Sequence, residues 1–269
     1  MSYYKPEEIV EETINYGKKK ANYPLIKSLI LGFQAGAFVA LGYLLYIRVT
    51  TPLSGDLEGL STIVGASVFP IGLILTLIAG GELLTGNMMA VPMARLARKI
   101  RAKQLIYNIA LITVSNFVGA VFVAYFFGHV VGLTETGPYL EKMLSIAEHK
   151  LDGSFFQMFL SGIGCNWLVA LAVWLCYGAH NITGKVMGIW FPTMTFVAIG
   201  FQHVVANMFV IPAAIFAGHL TWFDYMQNFV PVFLGNLVGG SIFVAMLYWY
   251  ALQTKQADTG SDKQKLKVS

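Results

Sequence analysis

Long apolar segments alternate with short polar ones along almost the whole chain. Six of them are each near the length of about 20 residues that a helix needs to cross a bilayer. They cover approximately residues 24–47, 62–93, 105–130, 154–177, 186–216 and 227–252. The second and fifth segments are too long for one straight helix, and both contain Pro and Gly. The pattern therefore predicts an all-α membrane protein with six transmembrane helices, of which the second and fifth are interrupted.

Polar sequence flanks the apolar region at both ends. In residues 1–23 the apolar positions Ile9, Val10 and Ile14 are spaced as in a short amphipathic helix. This stretch lacks the apolar core of a cleavable signal peptide. We therefore expect an N-terminal amphipathic segment at 1–23, a six-helix transmembrane domain at 24–252 and a polar tail at 253–269.

The composition supports a membrane protein and excludes a disordered chain. Hydrophobic residues make up 56% of the chain and charged residues only 12%, whereas an ordinary soluble domain has about 25% charged residues. Cys165 and Cys176 lie inside apolar segments, so we interpret them as small hydrophobic residues rather than as a disulfide or a metal site. The sequence predicts no cofactor and no metal.

The basic residues are distributed unevenly between the predicted loops. Of the 18 Lys and Arg residues, only Arg48, Lys142 and Lys150 fall on the side opposite to the two termini. Because basic loops stay in the cytoplasm, this predicts a multi-pass protein of the cell membrane with both termini cytoplasmic. The net charge of +4 is then a topology signal, and no nucleic-acid partner is needed to explain it.

The two halves of the chain repeat each other. The segments Asn87–Pro92 and Asn207–Pro212 are similar and lie 120 residues apart, as do Asn116–Gly119 and Asn236–Gly239. Since each half has three spans, the second half must enter the membrane from the opposite face. Such inverted repeats place their site at the paired interrupted helices near the middle of the membrane, which predicts a transport path between the halves.

Small residues at helical spacing predict close contacts between helices. Gly32 and Gly36, and likewise Gly235 and Gly239, are four residues apart in apolar segments. Glycines at this spacing let two helix backbones approach closely, within a protomer or between protomers.

Few ionisable residues lie within the apolar segments, and each is costly there unless it is paired or hydrated. Glu82 lies in one predicted interruption, where it is either a proton relay or cation ligand, or a carboxylate that caps the broken helix. His203 occupies the other interruption, which favours a functional role over that of a buried core histidine. Lys150 lies just outside the fourth segment, where composition alone predicts a solvated loop charge.

Three motifs spaced along the chain carry a family resemblance. They are Gly-Glu-Leu-Leu-Thr-Gly-Asn at 81–87, Gly-Cys-Asn-Trp-Leu-Val at 164–169 and Gly-Phe-Gln-His-Val-Val-Ala-Asn-Met-Phe at 200–209. At these residues the sequence resembles the formate/nitrite transporter family, over about residues 5–252. The resemblance implies an aquaporin-like protomer, a homopentamer, and a pore through each protomer for small monovalent anions.

The resemblance also implies roles for individual residues. His203 corresponds to the pore histidine, Thr85 to the hydroxyl that faces it, Lys150 to a lysine that concentrates anions in the outer vestibule, and Asn166 to an asparagine beside the pore. The family's outer constriction, an aromatic pair, corresponds to Phe69 and Phe196. Its inner constriction, an apolar slit, corresponds to Leu73, Leu83, Leu84 and Val169. Gln202 departs from the family pattern, because many members have Glu before the histidine.

These assignments predict transport of a weak-acid anion, with formate favoured, together with a proton. His203 is then the pore group suited to exchange protons near neutral pH. Nitrite or hydrosulfide transport by the same fold is an alternative, and a channel for neutral solutes is another. We expect no enzyme activity, because the sequence has no His-Glu-x-x-His or Gly-x-Ser-x-Gly motif.

Overall fold

Helices account for nearly all of the computed structural model, which describes residues 3–53 and 55–252. The predicted polar tail at 253–269 lies outside the described residues. The α-helices are α1 Pro6–Lys20, α2 Leu25–Thr50, α3 Glu58–Val68, α4 Ile71–Ile74, α5 Leu84–Leu96, α6 Ala102–Phe122, α7 Pro138–His149, α8 Phe155–Gly178, α9 Ile182–Ile199, α10 Val204–Phe216 and α11 Trp222–Val238. Wider π-helical turns at Leu75–Gly80, Val123–Val130 and Gly239–Met246 continue α4, α6 and α11.

Six helical stretches of the described chain are long and apolar enough to cross a membrane. They are Leu25–Leu53, Glu58–Gly80, Ala102–Val130, Phe155–Gly178, Ile182–Ile199 and Trp222–Leu252. The prediction of six spans is therefore confirmed. The second and fifth spans end at Gly80 and Ile199, well before the predicted ends at 93 and 216, because the rest of each predicted segment forms a separate helix, α5 or α10.

The second and fifth predicted segments are interrupted, as expected, but the breaks before α5 and α10 follow glycines rather than prolines. After Gly80 and Gly200 the chain runs without helical structure through residues 81–83 and 201–203, before α5 and α10 begin. Gly80 and Gly200 have φ of 113° and 86°, a left-handed backbone that glycine adopts without strain. Pro92 and Pro212 lie inside α5 and α10.

One buried asparagine in each half closes its interruption. Asn116 Oδ1 accepts a hydrogen bond from Leu84 N at 2.8 Å, and Asn116 Nδ2 donates to the carbonyls of Gly32 and Glu82. Asn236 makes the same three bonds in the second half, to Val204 N and to the carbonyls of Gly162 and Gln202. Since helix ends inside a membrane must have their polar groups satisfied, these asparagines explain why the two Asn-x-Val-Gly segments match.

Backbone contacts at glycine pack the helices of each half. A Cβ added to Gly36 would overlap the backbone of Asn116, and one added to Gly119 would overlap the backbone of Phe33. In the second half Gly235 meets the backbone of Phe159 in the same way. The predicted close packing is therefore confirmed within the protomer, between α2 and α6 and between α8 and α11.

Four α-helices of the described chain lie outside the six spans: α5 and α10, which follow the interruptions, and α1 and α7. The amphipathic helix α1 buries Ile9, Val10 and Ile14, and Gly17 brings it against the backbone of α5 at Ala90. The helix α7 was not predicted from the sequence, because its apolar residues are mixed with charged ones over a short stretch. It leads the chain directly to Lys150.

Candidate functional site

A histidine and a threonine from opposite halves meet at the centre of the protein. Thr85 Oγ1 lies 3.0 Å from His203 Nε2, and both residues are buried. His203 is also the N-cap of α10, where its Nδ1 accepts a hydrogen bond from Ala206 N at 3.1 Å. Because Nδ1 is an acceptor, the neutral imidazole carries its proton on Nε2 and presents it to Thr85.

An aromatic pair lies beside the histidine. The rings of Phe69 and Phe196 are edge to face with centroids 5.8 Å apart, and Phe196 also stacks against the imidazole of His203 at 5.7 Å. Edge-to-face and offset-stacked arrangements are the favoured ones for aromatic rings. The structure thus brings together the two phenylalanines and the histidine that the sequence indicated.

A narrow apolar space, here called the central slit, adjoins these rings. Its volume is about 10 Å³, and it is lined by Val39, Phe69, Leu73, Leu83, Val169, Thr193, Phe196 and His203. A cavity must reach roughly 10–15 Å³ by this measure to hold one water molecule. The slit is therefore almost closed, and a hydrated ion does not fit in it.

Of the four residues that the resemblance assigned to the inner slit, the structure places three on the central slit. They are Leu73, Leu83 and Val169. Leu84 does not line it: the side chain is fully buried in the core, while its backbone N–H bonds to Asn116. Val39 and Thr193 were missed, because each lies in a helix where neighbouring apolar residues look equally suitable.

A larger space, here called the Lys150 cavity, lies on the other side of the aromatic pair. Its volume is about 210 Å³, and Lys150, Asn207, Tyr43 and Tyr46 line it together with Phe69, Phe196 and His203. Lys150 is half-buried there, and burial lowers the pKa of its ammonium group below the ordinary value. The structure thus places Lys150 and His203 on one cavity, which the loop interpretation of Lys150 did not anticipate.

The carboxylate of Glu82 binds a lysine and does not cap the broken helix. Its carboxylate forms an ion pair with Lys20, Oε1 to Nζ at 2.8 Å, and accepts a bond from Asn87 Nδ2 at 2.9 Å. The N-terminus of α5 is instead capped by Asn116. The interpretation of Glu82 as a helix cap is therefore wrong, and the group it binds is an ammonium from α1.

Asn166 supports the site from behind. Its Nδ2 donates to the carbonyl of Asn236 at 2.6 Å and to the carbonyl of Thr85 at 3.3 Å. Asn166 is fully buried and lines neither the central slit nor the Lys150 cavity. It links the interrupted helix that carries Thr85 to the opposite half of the molecule.

Comparison with known proteins agrees with this geometry. A family model described as formate/nitrite transporter matches residues 7–250. The chain belongs to the formate/nitrite transporter family. Members of this family are membrane transport proteins, so the chain is a multi-pass transporter or channel and not an enzyme.

Similar sequences and structures span nearly the whole chain. The formate channel BtFdhC of Bacillus thuringiensis is 53% identical over 258 residues, covering 96% of this chain and 99% of its own. The uncharacterized transporter YrhG of Bacillus subtilis strain 168 is 57% identical over 264 residues, which cover 98% of this chain and 99% of that protein. A solved pentameric formate channel with formate bound superimposes with a TM-score of 0.75 at 33% identity, covering 84% of this chain and 97% of its own.

Proposed function

We propose that this protein carries formate across the membrane together with a proton, through a pore in each protomer of a homopentamer. The observation that carries the proposal is the buried His203–Thr85 pair, whose imidazole lines both the Lys150 cavity and the central slit. Two findings on similar proteins support formate and the pentamer: a formate channel is 53% identical, and a pentameric formate channel shares the fold.

The closed slit explains why a proton should travel with the anion. An uncompensated charge in an apolar constriction costs several kcal/mol or more. Burial disfavours the charged form of a weak acid, so the anion gains a proton as it leaves water. The neutral acid then crosses the slit without that penalty, and one proton moves with each anion.

Each polar residue has a separate step in this path. Lys150 attracts the anion into the cavity, where solvent supplies the proton. His203 then donates a hydrogen bond to the passing molecule from Nε2–H, and the Thr85 hydroxyl offers a second polar contact. Because Nδ1 is held by Ala206 N, we assign His203 the role of a hydrogen-bond donor rather than that of a proton carrier.

The apolar residues exclude water and ions from the path. Phe69 and Phe196 separate the Lys150 cavity from the slit, and Leu73, Leu83 and Val169 continue the slit beyond them. Asn166 holds the backbone of Thr85 in place. Side-chain rotation at the aromatic pair is then the movement that admits the neutral acid.

Flux into proteoliposomes tests the proposal. Formate, nitrite and hydrosulfide are each supplied at two external pH values, and the internal pH is recorded. We expect formate uptake to acidify the interior and to rise as external pH falls, because external acidification increases the protonated fraction. His203→Asn is the matched variant: asparagine retains a side-chain acceptor for Ala206 N, so the fold should persist while flux falls.

Three results would contradict the proposal in different ways. A formate current without proton movement would indicate a channel for the bare anion. Faster nitrite or hydrosulfide flux would change the substrate and leave the residue roles in place. Permeation of water or glycerol with no flux of the three anions would favour a neutral-solute channel.

A further inference from the structure

The two halves of the protein build the same polar network around their interruptions. In the first half, Asn87 Nδ2 donates to Glu82 Oε2 at 2.9 Å and to Asn108 Oδ1 at 2.9 Å. Asn108 Nδ2 donates in turn to the carbonyl of Lys20. The ammonium of Lys20 completes the network by binding Glu82 Oε1 at 2.8 Å and Asn87 Oδ1 at 3.1 Å.

The second half repeats this network position by position. Asn207 Nδ2 donates to Gln202 Oε1 at 2.7 Å and to Asn228 Oδ1 at 2.8 Å. Asn228 Nδ2 donates to the carbonyl of Lys150 at 2.7 Å. Lys150 is therefore the structural counterpart of Lys20, and Gln202 is the counterpart of Glu82.

The networks differ at the lysine side chain. Gln202 Nε2 donates to the backbone carbonyl of Lys150 at 3.0 Å, and an amide cannot neutralise an ammonium. Asn207 Oδ1, the counterpart of the atom that Lys20 binds, is buried and has no hydrogen-bond partner in residues 3–53 and 55–252. The Lys150 side chain instead lines the open cavity, and no carboxylate of the described chain pairs with it.

We propose that Gln202 strengthens anion binding at the Lys150 face of the protein. With glutamine at this position the Lys150 ammonium keeps its charge uncompensated and available to an anion in the cavity. On the other face Glu82 neutralises Lys20 and holds it against Asn87, so no equivalent anion site forms there. The anion's identity rests on the proposed function, whereas the one-sided binding rests on the two networks.

A chemical label for Lys150 tests this without measuring transport. Cyanate is a small monovalent anion whose acid, HNCO, adds to an uncharged amine to give a urea (RNH₂ + HNCO → RNHCONH₂). The purified protein is treated with cyanate, and carbamylation of Lys150 is followed by peptide mass spectrometry. We expect rapid labelling of wild-type Lys150 that added formate slows.

The substitution Gln202→Glu recreates in the second half the ion pair of the first. We expect it to slow Lys150 labelling by about tenfold or more. A carboxylate that stabilises the ammonium by 1.4 kcal/mol lowers the fraction of the reactive uncharged amine tenfold. Glu82→Gln is the matched control: it makes the opposite exchange on the far face and should leave Lys150 labelling unchanged. Equal labelling of wild type and Gln202→Glu would overturn the proposal.

A second measurement uses the wild-type protein alone, in case Gln202→Glu does not fold. In proteoliposomes with uniformly oriented protein, the KM for the transported anion should be about tenfold lower from the Lys150 face than from the Lys20 face. Equal KM values on both faces would contradict one-sided binding. If no anion moves while the labelling pattern holds, the proposed function fails and the inference about Gln202 stands.

Discussion

At the scale of single residues, the pore is asymmetric although the repeat is symmetric. Leu83 and His203 occupy equivalent positions 120 residues apart, and both line the central slit. Only the histidine has a polar partner there, because Thr85 faces it from the other half. The slit is therefore lined by one imidazole and the Thr193 side chain among otherwise apolar walls, and the Thr85 hydroxyl lies against that imidazole.

Removal of the Thr85 hydroxyl tests this pairing. Thr85→Val keeps the shape of the side chain but leaves His203 Nε2–H buried without an acceptor, which costs about 1–3 kcal/mol. We expect a lower melting temperature and formate flux reduced by about tenfold. Thr85→Ser keeps the hydroxyl and should retain most of the flux. Wild-type flux in Thr85→Val would show that the hydroxyl takes no part in transport.

The residues of the site differ in how readily the sequence reveals them. His203 and Glu82 stand out because an ionisable group in an apolar segment is costly and needs a reason. Val39 and Thr193 carry no such signal, since their neighbours along the helix are chemically similar. Glu82 was noticed, but its partner Lys20 was not, because the ion pair joins α1 to an interruption 62 residues away.

At the scale of elements, glycine contacts and buried asparagines hold the broken helices in place. Gly36 and Gly119 bring the backbones of α2 and α6 together, and Asn116 crosses that contact to reach both Gly32 and Glu82. The position of the slit therefore depends on the distance between α2 and α6. A wider spacing would move Asn116 away from the start of α5.

A single methyl group at the helix contact tests this dependence. We expect Gly119→Ala to destabilise the protein by about 1–3 kcal/mol, because the added Cβ overlaps the backbone of Phe33. Thermal unfolding in detergent measures the change, and flux should fall with it. Gly59→Ala is the matched control: no atom lies within 4 Å of its added Cβ, so its melting temperature should not fall. Similar melting temperatures for both variants would contradict the packing argument.

At the scale of the whole molecule, the outer surface is apolar over much of its area. Large apolar side chains are exposed on several spans, for example Ile30, Val114, Phe191 and Phe223. In a membrane protein such a surface contacts lipid or another protomer. The basic residues concentrate at one side of the predicted topology, which agrees with cytoplasmic termini by the positive-inside rule.

Assembly and orientation are measurable together. We expect native mass spectrometry of the purified protein to give five times the chain mass of 29.5 kDa. In inside-out vesicles, a protease added from outside should remove a tag at the C-terminus, because both termini are predicted to be cytoplasmic. A monomer would contradict the proposed pentamer, and a protected tag would reverse the orientation.

The sequence by itself determined the class of the protein, the six spans, the two interruptions and the internal repeat. These features depend on hydrophobicity and spacing along the chain, which a one-dimensional pattern records directly. His203 stood out as an ionisable residue in an apolar segment, and the resemblance added Thr85, the vestibule role of Lys150 and the aromatic pair. Tertiary structure alone decided which apolar residues line the slit and which nitrogen of His203 faces Thr85. It also decided that Glu82 neutralises Lys20, whereas Gln202 leaves the Lys150 side chain without a carboxylate partner. Those features depend on which helices meet across the fold, and contacts between distant segments leave no periodic signal in the sequence.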